Sequence, residues 1–258
     1  MLTAEQLQSI MPATPARKRD ALLPVLQAAM TEFAIEAPAR GAAFLAQLAH
    51  ESGQFRFMEE IWGPTPAQRR YEPVSTLATS LGNGEVGDGK RFKGRGPIQI
   101  TGRANYRRFG DLLGTDLVAD PARAALPELA FRIAGLFWSK KGLNELADRA
   151  TPEAFREITR RINGGFNGLE DRQKFYAVAR TVLGVAESPV TRGAEDFSDA
   201  PDDPTFERGD EAIRRHRPRR RPTEKKPAAR KTTKTSPRRK AGKLASKVRA
   251  KRRKRKKD

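Results

Sequence analysis

The sequence predicts a mainly α-helical domain, with at most a small β-hairpin, followed by a disordered tail. Apolar residues recur at helical spacing through residues 1–187, and sustained alternation of apolar and polar residues is scarce. That range also contains enough apolar residues for one sizeable core of helices packed on helices. After Gly184 large apolar side chains become few, so we place the end of the domain near residue 187.

The predicted helices follow one another along the chain. Thr3 resembles an N-cap before acidic first-turn residues. The apolar stripe from Leu22 to Phe33 predicts a second helix, and Pro38 is suited to open a third. Residues 61–97 are rich in Gly, Pro and polar groups, which indicates irregular chain or a short hairpin. Helical periodicity returns at residues 125–141, 154–162 and 172–183.

Charge divides the 258 residues, whose formal net charge is +20, into three parts. Residues 1–187 contain 25 basic and 21 acidic side chains, the near balance of an ordinary soluble domain. Residues 188–213 contain 2 basic and 8 acidic side chains, and residues 214–258 contain 24 basic and 2 acidic ones. Neither C-terminal segment can bury enough apolar surface to offset chain entropy. We therefore predict a disordered acidic linker and a disordered basic tail.

Several classes of protein are disfavoured by composition. The absence of cysteine excludes disulfides, a thiolate nucleophile and cysteine-ligated zinc. The only histidines are His50 and His216, so no multi-histidine metal site and no cofactor are expected. Neither a secretory signal nor a membrane span is recognisable, which predicts synthesis in the cytoplasm. A target outside it would then require release or export by another component.

Two carboxylates lie close together in the sequence. Glu51 is expected near the end of an apolar helix, where partial desolvation favours the protonated form and suits a proton donor. Glu60 follows nine residues later, after an aromatic-rich loop, and could face Glu51 across a groove. The Gly-rich polar segment 94–102 could complete a cleft. Acid/base cleavage of a glycosidic bond requires such a pair, although any two glutamates are more often ordinary surface residues.

Five separated motifs favour a catalytic pair over two ordinary surface glutamates. They are His50-Glu51-Ser52-Gly53, Glu59-Glu60, Gly94–Thr101, Asn105-Tyr106 and Ile162-Asn163-Gly164-Gly165. In this order the chain resembles family 19 glycoside hydrolases, which include chitinases and phage-type endolysins. The short region 61–90 and the lack of cysteine are more similar to compact bacterial and phage members than to disulfide-bearing plant chitinases. The resemblance implies a lysozyme-like or chitinase-like fold and a monomer.

The resemblance also implies roles for individual residues. Glu51 matches the general acid, and Glu60 matches the general base that activates water on the opposite face of the sugar, with Glu59 as the neighbouring alternative. Thr101 matches a residue that positions this water. Such inversion requires carboxyl groups roughly 6.5–9.5 Å apart. The expected substrate-binding residues are Gln99, Asn105, Tyr106, Asn163, Arg172 and Trp62.

Some of these residues also have a purely structural interpretation. We expect His50 to be a structural hydrogen-bonding residue rather than a proton carrier. Asn163 precedes two glycines and could serve only to end a helix. Arg172 matches an arginine that orients the carboxylates, although its spacing from Asn163 is compressed relative to the family. Trp62 is suited to stacking on sugar rings, whereas the helical setting of Trp138 indicates a core residue.

The basic tail suggests a second function. Its clusters include Arg219, Arg220 and Arg221, and the unbroken run that begins Lys251, Arg252, Arg253, Lys254. Such segments bind polyanions through counterion release without sequence preference, and the lack of aromatic residues disfavours a specific reader of single strands. Three alternatives remain. The tail binds lipopolysaccharide or anionic membrane, it binds nucleic acid or acidic wall polymers, or it folds back on the acidic segment 195–211.

The leading functional hypothesis is an endolysin-type glycosidase that hydrolyses β-1,4 links of peptidoglycan, after release or holin-type export, by an inverting mechanism. Chitin is the alternative substrate for the same chemistry. A different class is a non-enzymatic, histone-like nucleic-acid-binding protein in which the tail dominates. Retention of Glu51, Glu60 and Thr101 together favours the enzyme over an inactive scaffold.

Overall fold

A computed structural model describes residues 1–186, 196–198 and 202–203. Within these residues the chain forms eleven α-helices and one 3-10 helix, and its β-structure is limited to two isolated bridges. The helices are α1 (Ala4–Ile10), α2 (Ala16–Glu32), α3 (Pro38–Ser52), α4 (Pro66–Arg69), α5 (Thr76–Leu81), α6 (Asp88–Arg91), α7 (Arg103–Leu113), α8 (Pro127–Lys140), α9 (Leu143–Asp148), α10 (Pro152–Asn163) and α11 (Leu169–Leu183), with the 3-10 helix at Pro121–Ala125. The prediction of a mainly helical fold is confirmed.

The helix α3 lies at the centre of the core, with ten of its fifteen residues buried. It begins at Pro38, as predicted, and packs chiefly on α11, while α2 packs on α8. Small residues permit close helix packing. A Cβ atom at Gly41 would lie 3.3 Å from Met30 Cε and 3.5 Å from Leu183 Cδ1. Because α3 is almost wholly enclosed, any polar residue in its last turn is positioned by the core itself.

The first helix begins with the predicted N-cap. The Gln6 amide donates to Thr3 Oγ1 at 3.2 Å, and the Thr3 amide donates to Gln6 Oε1 at 2.9 Å. This reciprocal pair satisfies amides that the first helical turn leaves unpaired. The N-terminal boundary of α1 is therefore set locally, as the sequence indicated.

The prediction of irregular chain or a hairpin for residues 61–97 is wrong in part, because the segment contains α4, α5 and α6. Thr65 and Ser75 cap the first two of these helices through their side-chain oxygens. Each helix is only four to six residues long, so it presents too few turns for a recognisable apolar period. No hairpin occurs here, and the segment contributes only the bridge partner Arg95.

Four residues of the predicted acidic linker contact the helical domain. Arg161 Nη2 donates to the Phe197 carbonyl at 3.1 Å, and the Arg149 guanidinium lies 5.0 Å from the centre of the Phe197 ring. Asp202 forms an ion pair of 3.2 Å with Lys141. These contacts involve a few residues without helix or strand, and the disordered linker stays a prediction. The rest of the linker and the tail 214–258 lie outside the described residues.

Candidate active site

Glu51 lies in the last turn of α3 and is bound by a buried arginine. Arg172 Nη2 donates to Glu51 Oε1 at 2.5 Å, and the two side chains are 1% and 8% exposed. The helix ends just after Glu51 because Gly53 adopts a left-handed conformation with φ +57°. The structure thus brings together Glu51 and the arginine that was predicted to orient it.

A buried glutamine extends this contact into the core. Arg172 Nη1 also donates to Gln47 Oε1, and Gln47 Nε2 donates to Thr159 Oγ1 at 2.9 Å. Gln47 and Thr159 are 1% and 0% exposed. Polar groups of α3, α10 and α11 are therefore bonded to one another inside the apolar core, which fixes the position of the guanidinium. Sequence reasoning missed Gln47, although its place four residues before Glu51 on the same helix face was an available signal.

His50, the neighbour of Glu51, pairs with the neighbour of Arg172. His50 Nδ1 lies 2.6 Å from Asp171 Oδ2. The imidazole ring also packs against Gly168, where a Cβ atom would lie 2.3 Å from His50 Cε1. His50 and Glu51, which are consecutive in α3, thus contact Asp171 and Arg172, which are consecutive in α11. This contact agrees with the expected structural histidine.

Glu60 lies in a loop and accepts hydrogen bonds from neutral groups. Gln68 Nε2 donates to Glu60 Oε1 at 2.9 Å, the Tyr71 hydroxyl donates to the same oxygen at 3.4 Å, and the Gly94 amide donates to Oε2 at 3.0 Å. The Glu60 amide in turn donates to the Gly94 carbonyl at 2.8 Å. No cation lies in ion-pair contact with Glu60 within the part of the chain that the structure describes. Its carboxylate is therefore held by neutral donors.

Glu59 has the opposite surroundings. Its carboxylate pairs with Arg95 Nε at 3.0 Å and with Lys93 Nζ at 3.3 Å. Residues Glu59 and Arg95 also form one of the two antiparallel bridges, so the pairing joins backbone as well as side chains. Two cations thus contact Glu59, whereas the groups that hold Glu60 are neutral.

The Gly-rich segment places Thr101 and Gln99 on one turn. The Thr101 hydroxyl donates to the Gln99 carbonyl at 3.0 Å, and Asn105 Nδ2 donates to the Thr101 carbonyl at 2.8 Å. Gln99 Nε2 donates to the Gly96 carbonyl at 2.8 Å. Thr101 and Asn105 are 2% and 7% exposed. The chain is therefore held in place around Thr101 by its own side chains.

Tyr106 is predicted to bind substrate, but the structure places its side chain inside the protein. It is 0% exposed, its hydroxyl donates to the Lys93 carbonyl at 2.6 Å, and it accepts from Arg95 Nη1 at 2.9 Å. Burial raises the pKa of Tyr106 well above its usual range, so the phenol stays neutral. In this conformation Tyr106 positions Lys93 and Arg95 and offers no surface to a polymer.

Asn163 is the last residue of α10 and is buried. Its Nδ2 donates to the Gly165 carbonyl at 3.3 Å and to the Asn167 carbonyl at 3.2 Å. Arg172 Nε also donates to the Asn167 carbonyl, at 3.4 Å. Asn163 thus shapes the turn that leads from α10 to Arg172, so its helix-ending role is present whether or not it binds a sugar.

The two tryptophans differ as expected. Trp138 is 1% exposed and packs edge-on against Phe44, with ring centres 5.3 Å apart, so it is a core residue. Trp62 is half-buried and lies beside Tyr71, with ring centres 6.1 Å apart. Since Tyr71 donates to Glu60, Trp62 lies on the side of the molecule that carries this carboxylate.

The candidate site thus consists of two parts. One contains Glu51 with Arg172, and the other contains Glu60 with Gln68 and Gly94. Among the described residues no group of three His, Cys, Asp or Glu side chains is placed to hold a metal ion. In the same part of the chain no helix is long and apolar enough to cross a membrane. Sequence reasoning missed the groups that hold Glu60 and Glu59, namely Gln68, Lys93 and Arg95.

Comparison with known proteins identifies the family. A family model described as chitinase class I matches residues 34–147. A Haemophilus influenzae protein named as containing a glycosyl hydrolase family 19 domain is 37% identical over 158 residues, which cover 52% of this chain and 76% of that protein. The chain belongs to glycoside hydrolase family 19. The resemblance stated from the motifs is confirmed at the level of the family.

Two further similar proteins are named as chitinases. An endochitinase of Arabidopsis thaliana is 42% identical over 125 residues, covering 48% of this chain and 39% of the plant protein. Chitinase C from Streptomyces griseus superposes with a TM-score of 0.56 at 22% identity, covering 73% of this chain and 95% of the other. The fold is therefore that of a family 19 chitinase. The chain is a glycosidase-family hydrolase whose expected substrate is a glycan polymer.

Proposed function

We propose that this family 19 protein hydrolyses β-1,4 links of peptidoglycan by single displacement, with Glu51 as general acid and Glu60 as general base. The observation that carries the mechanism is the difference between the partners of the two carboxylates. Arg172 binds Glu51 at 2.5 Å, whereas neutral groups hold Glu60. The assignment of Glu51 as the acid follows the motif match, and the guanidinium favours the charged form that Glu51 takes once it has given up its proton.

The contact with Arg172 favours the acid role in the transition state. As Glu51 protonates the leaving oxygen of the glycosidic bond, it becomes a carboxylate. A guanidinium already held against it stabilises this new charge without rearrangement. The bond network through Gln47 keeps Arg172 in place during the step.

In the same displacement Glu60 acts as a general base on a water molecule. Its carboxylate accepts a proton from this water molecule, which attacks the anomeric carbon from the opposite face. The proton lost to the leaving group by Glu51 and the proton gained by Glu60 balance, and the two residues exchange them with solvent after product release. Thr101, whose hydroxyl is bonded to the Gln99 carbonyl, is the residue that we propose helps to position this water.

The test compares the wild-type protein with Glu51→Gln on purified peptidoglycan and on colloidal chitin. We expect new reducing ends from peptidoglycan with the wild type alone, and proton NMR of the first product should detect the α-anomer. A β-anomer would contradict single displacement. Release of reducing ends by Glu51→Gln at the wild-type rate would contradict the assignment of the acid.

Chitin hydrolysis is the second candidate, because relatives such as the Arabidopsis protein are named endochitinases. The two substrates share the β-1,4 glycan backbone and differ in the acidic peptide substituents of peptidoglycan. A ratio of kcat/KM above one for peptidoglycan over chitin favours the first proposal. The reverse ratio favours the second.

For the basic tail the proposal is polyanion binding that brings the enzyme to an envelope or an acidic polymer. The support is the charge of residues 214–258, with 24 basic and 2 acidic side chains. A truncation after residue 213 is the suitable variant, because it keeps Phe197 and Asp202, which contact the helical domain. We expect unchanged hydrolysis of isolated peptidoglycan and weaker binding to lipopolysaccharide, anionic vesicles and DNA. Equal retention of all three by the truncated chain would overturn this proposal.

A further inference from the structure

A shallow cavity of about 430 Å³ opens beside Glu59, on the loop that carries the proposed base. Its charged lining residues are Glu59, Lys90, Arg91, Lys93, Arg95 and Asp120. Four cations and two anions thus border it, an excess of two positive charges. The remaining wall contains small residues, which leave room for a ligand to approach these charges.

The cationic wall already binds a carboxylate in this structure. Glu59 pairs with Lys93 at 3.3 Å and with Arg95 at 3.0 Å, yet its side chain remains 45% exposed. A carboxylate of suitable geometry is therefore accommodated between these two cations while solvent still reaches the place. An incoming carboxylate can share or replace this contact without the protein having to build a new site.

Two further cations are not neutralised. Arg91 Nη2 donates to the Val118 carbonyl at 2.9 Å, a neutral acceptor that orients the guanidinium and leaves its charge uncompensated. The Lys90 side chain is exposed. Within the described residues neither Lys90 nor Arg91 forms an ion pair. Lys90 and Arg91 are therefore the two cations of the cavity lining that form no ion pair among these residues.

The cavity shares a wall with the site of the proposed reaction. The Gly94 amide donates to Glu60 Oε2 at 3.0 Å, and Gly94 lies between Lys93 and Arg95, which line the cavity. The Gly96 amide donates to the Met58 carbonyl at 2.8 Å, so the two segments are joined by backbone bonds on both sides of Glu59. The cavity residue Glu59 is thus the chain neighbour of the proposed base, and the same pair of backbone segments carries both.

We infer that this cavity binds a carboxylate group carried by a side substituent of the glycan, such as the peptide attached to a muramic acid residue. The inference rests on the proposed peptidoglycan activity and deepens it. Unsubstituted chitin is neutral and has no group for the cavity, so Lys90 and Arg91 would favour the acidic polymer over the neutral one. The contribution is electrostatic and is expected to weaken with salt.

The kinetic test uses Lys90→Glu and Arg91→Gln, with Arg17→Glu as a matched charge change on the exposed first turn of α2. We expect the ratio of KM for peptidoglycan to KM for glycol chitin to rise about tenfold in Lys90→Glu and about threefold in Arg91→Gln, with kcat little altered. The control should leave the ratio at the wild-type value. An unchanged ratio in both cavity variants would overturn the inference.

A binding test separates this inference from the proposed activity. Calorimetric titration of the wild-type protein with N-acetylmuramyl-alanyl-glutamate should give a measurable Kd that weakens about tenfold in Lys90→Glu. The neutral disaccharide of N-acetylglucosamine should show no such dependence. Equal displacement of the dipeptide by inorganic phosphate at the same concentration would contradict a carboxylate-selective cavity. If the protein binds the dipeptide but does not cleave peptidoglycan, the proposed activity fails while the cavity assignment stands.

Discussion

Glu51 stands at the end of a helix that the core encloses, whereas Glu60 lies in a loop outside any helix. The first carboxylate is held by a buried guanidinium that is itself bonded to Gln47. Neutral donors from a short helix and from a Gly-rich turn hold the second. The two halves of the site therefore depend on different parts of the structure.

This difference separates the consequences of substitution in each half. Changes around Glu51 disturb the packing of α3 on α11, so chemistry and stability respond together. Changes around Glu60 act on a loop with few core contacts, so chemistry can respond without a large loss of stability.

The largest effect is expected for Glu51→Gln, which keeps the shape of the side chain and removes its proton. We expect kcat to fall about 10³-fold, because the leaving group then departs without general acid catalysis. Reducing-end assays with circular dichroism as a check of folding measure the change. Glu153→Gln, in the first turn of α10, is the control and should retain wild-type activity. A loss under tenfold in Glu51→Gln would place the acid elsewhere.

The next effect concerns the choice between two adjacent glutamates. Glu60→Gln should lower kcat about 10²-fold, because the proposed general base is removed. Glu59→Gln should lower it far less, since the Glu59 carboxylate is already paired with Lys93 and Arg95. The two variants are compared on one substrate at one pH. If Glu59→Gln proves the more damaging, the base has been assigned to the wrong residue.

Substitutions of Arg172 show whether kcat and the free energy of unfolding change together in the half of the site around Glu51. Arg172→Ala removes the guanidinium that binds the buried Glu51 carboxylate and Gln47, and should lower the free energy of unfolding by about 3 kcal/mol. Arg172→Lys keeps the positive charge but cannot bind Gln47 and Glu51 through two separate nitrogens. We therefore expect a smaller loss of stability than in Arg172→Ala and about tenfold lower kcat. Urea denaturation gives the first quantity. Lys174→Ala, an exposed residue of the same helix, should change neither quantity.

The smallest effect is expected for the hydrogen bonds that hold the Tyr71 loop, whose tyrosine hydroxyl donates to Glu60, and it concerns the free energy of unfolding. Asn83 Nδ2 donates to the Tyr71 carbonyl at 2.9 Å, and the Arg103 amide donates to Asn83 Oδ1 at 2.8 Å. Arg103 also makes a forked contact with Asp88 at 2.6 and 2.9 Å. Burial raises the pKa of Asp88, but bonds from Arg103 and from backbone amides outweigh it, so the net pKa is below its usual value.

Asp88→Asn should therefore lower the free energy of unfolding by about 2 kcal/mol at pH 7. A carboxyl group whose pKa is lowered by folding stabilises the fold at any pH above its pKa in the unfolded chain, which is near 4. This stabilisation is lost as the pH falls through the lower pKa of the folded state. The difference between variant and wild type should thus narrow below about pH 4. Glu85→Gln removes an exposed partner of the same arginine and should cost under about 1 kcal/mol. A difference that does not vary with pH would contradict the role of the Asp88 charge.

Elements with strong local signals were predictable. The cap at Thr3, the start of α3 at Pro38 and the apolar stripes of the long helices all depend on neighbouring residues, so they can be found in one sequence. The short helices α4 and α5 could not, because four to six residues carry no clear period. The buried position of Tyr106 also escaped prediction, since a tyrosine beside a polar motif suits a binding surface and a core equally well.

The sequence by itself determined the helical class, the three-part division of charge, the family and the two candidate carboxylates, because motif order and composition are properties of a chain read in one dimension. Only the tertiary structure decided which groups surround those carboxylates. Arg172 lies 121 positions from Glu51, and Gly94 lies 34 positions from Glu60. Such contacts form only when helices pack, and they separate a glutamate held by a guanidinium from one held by neutral donors.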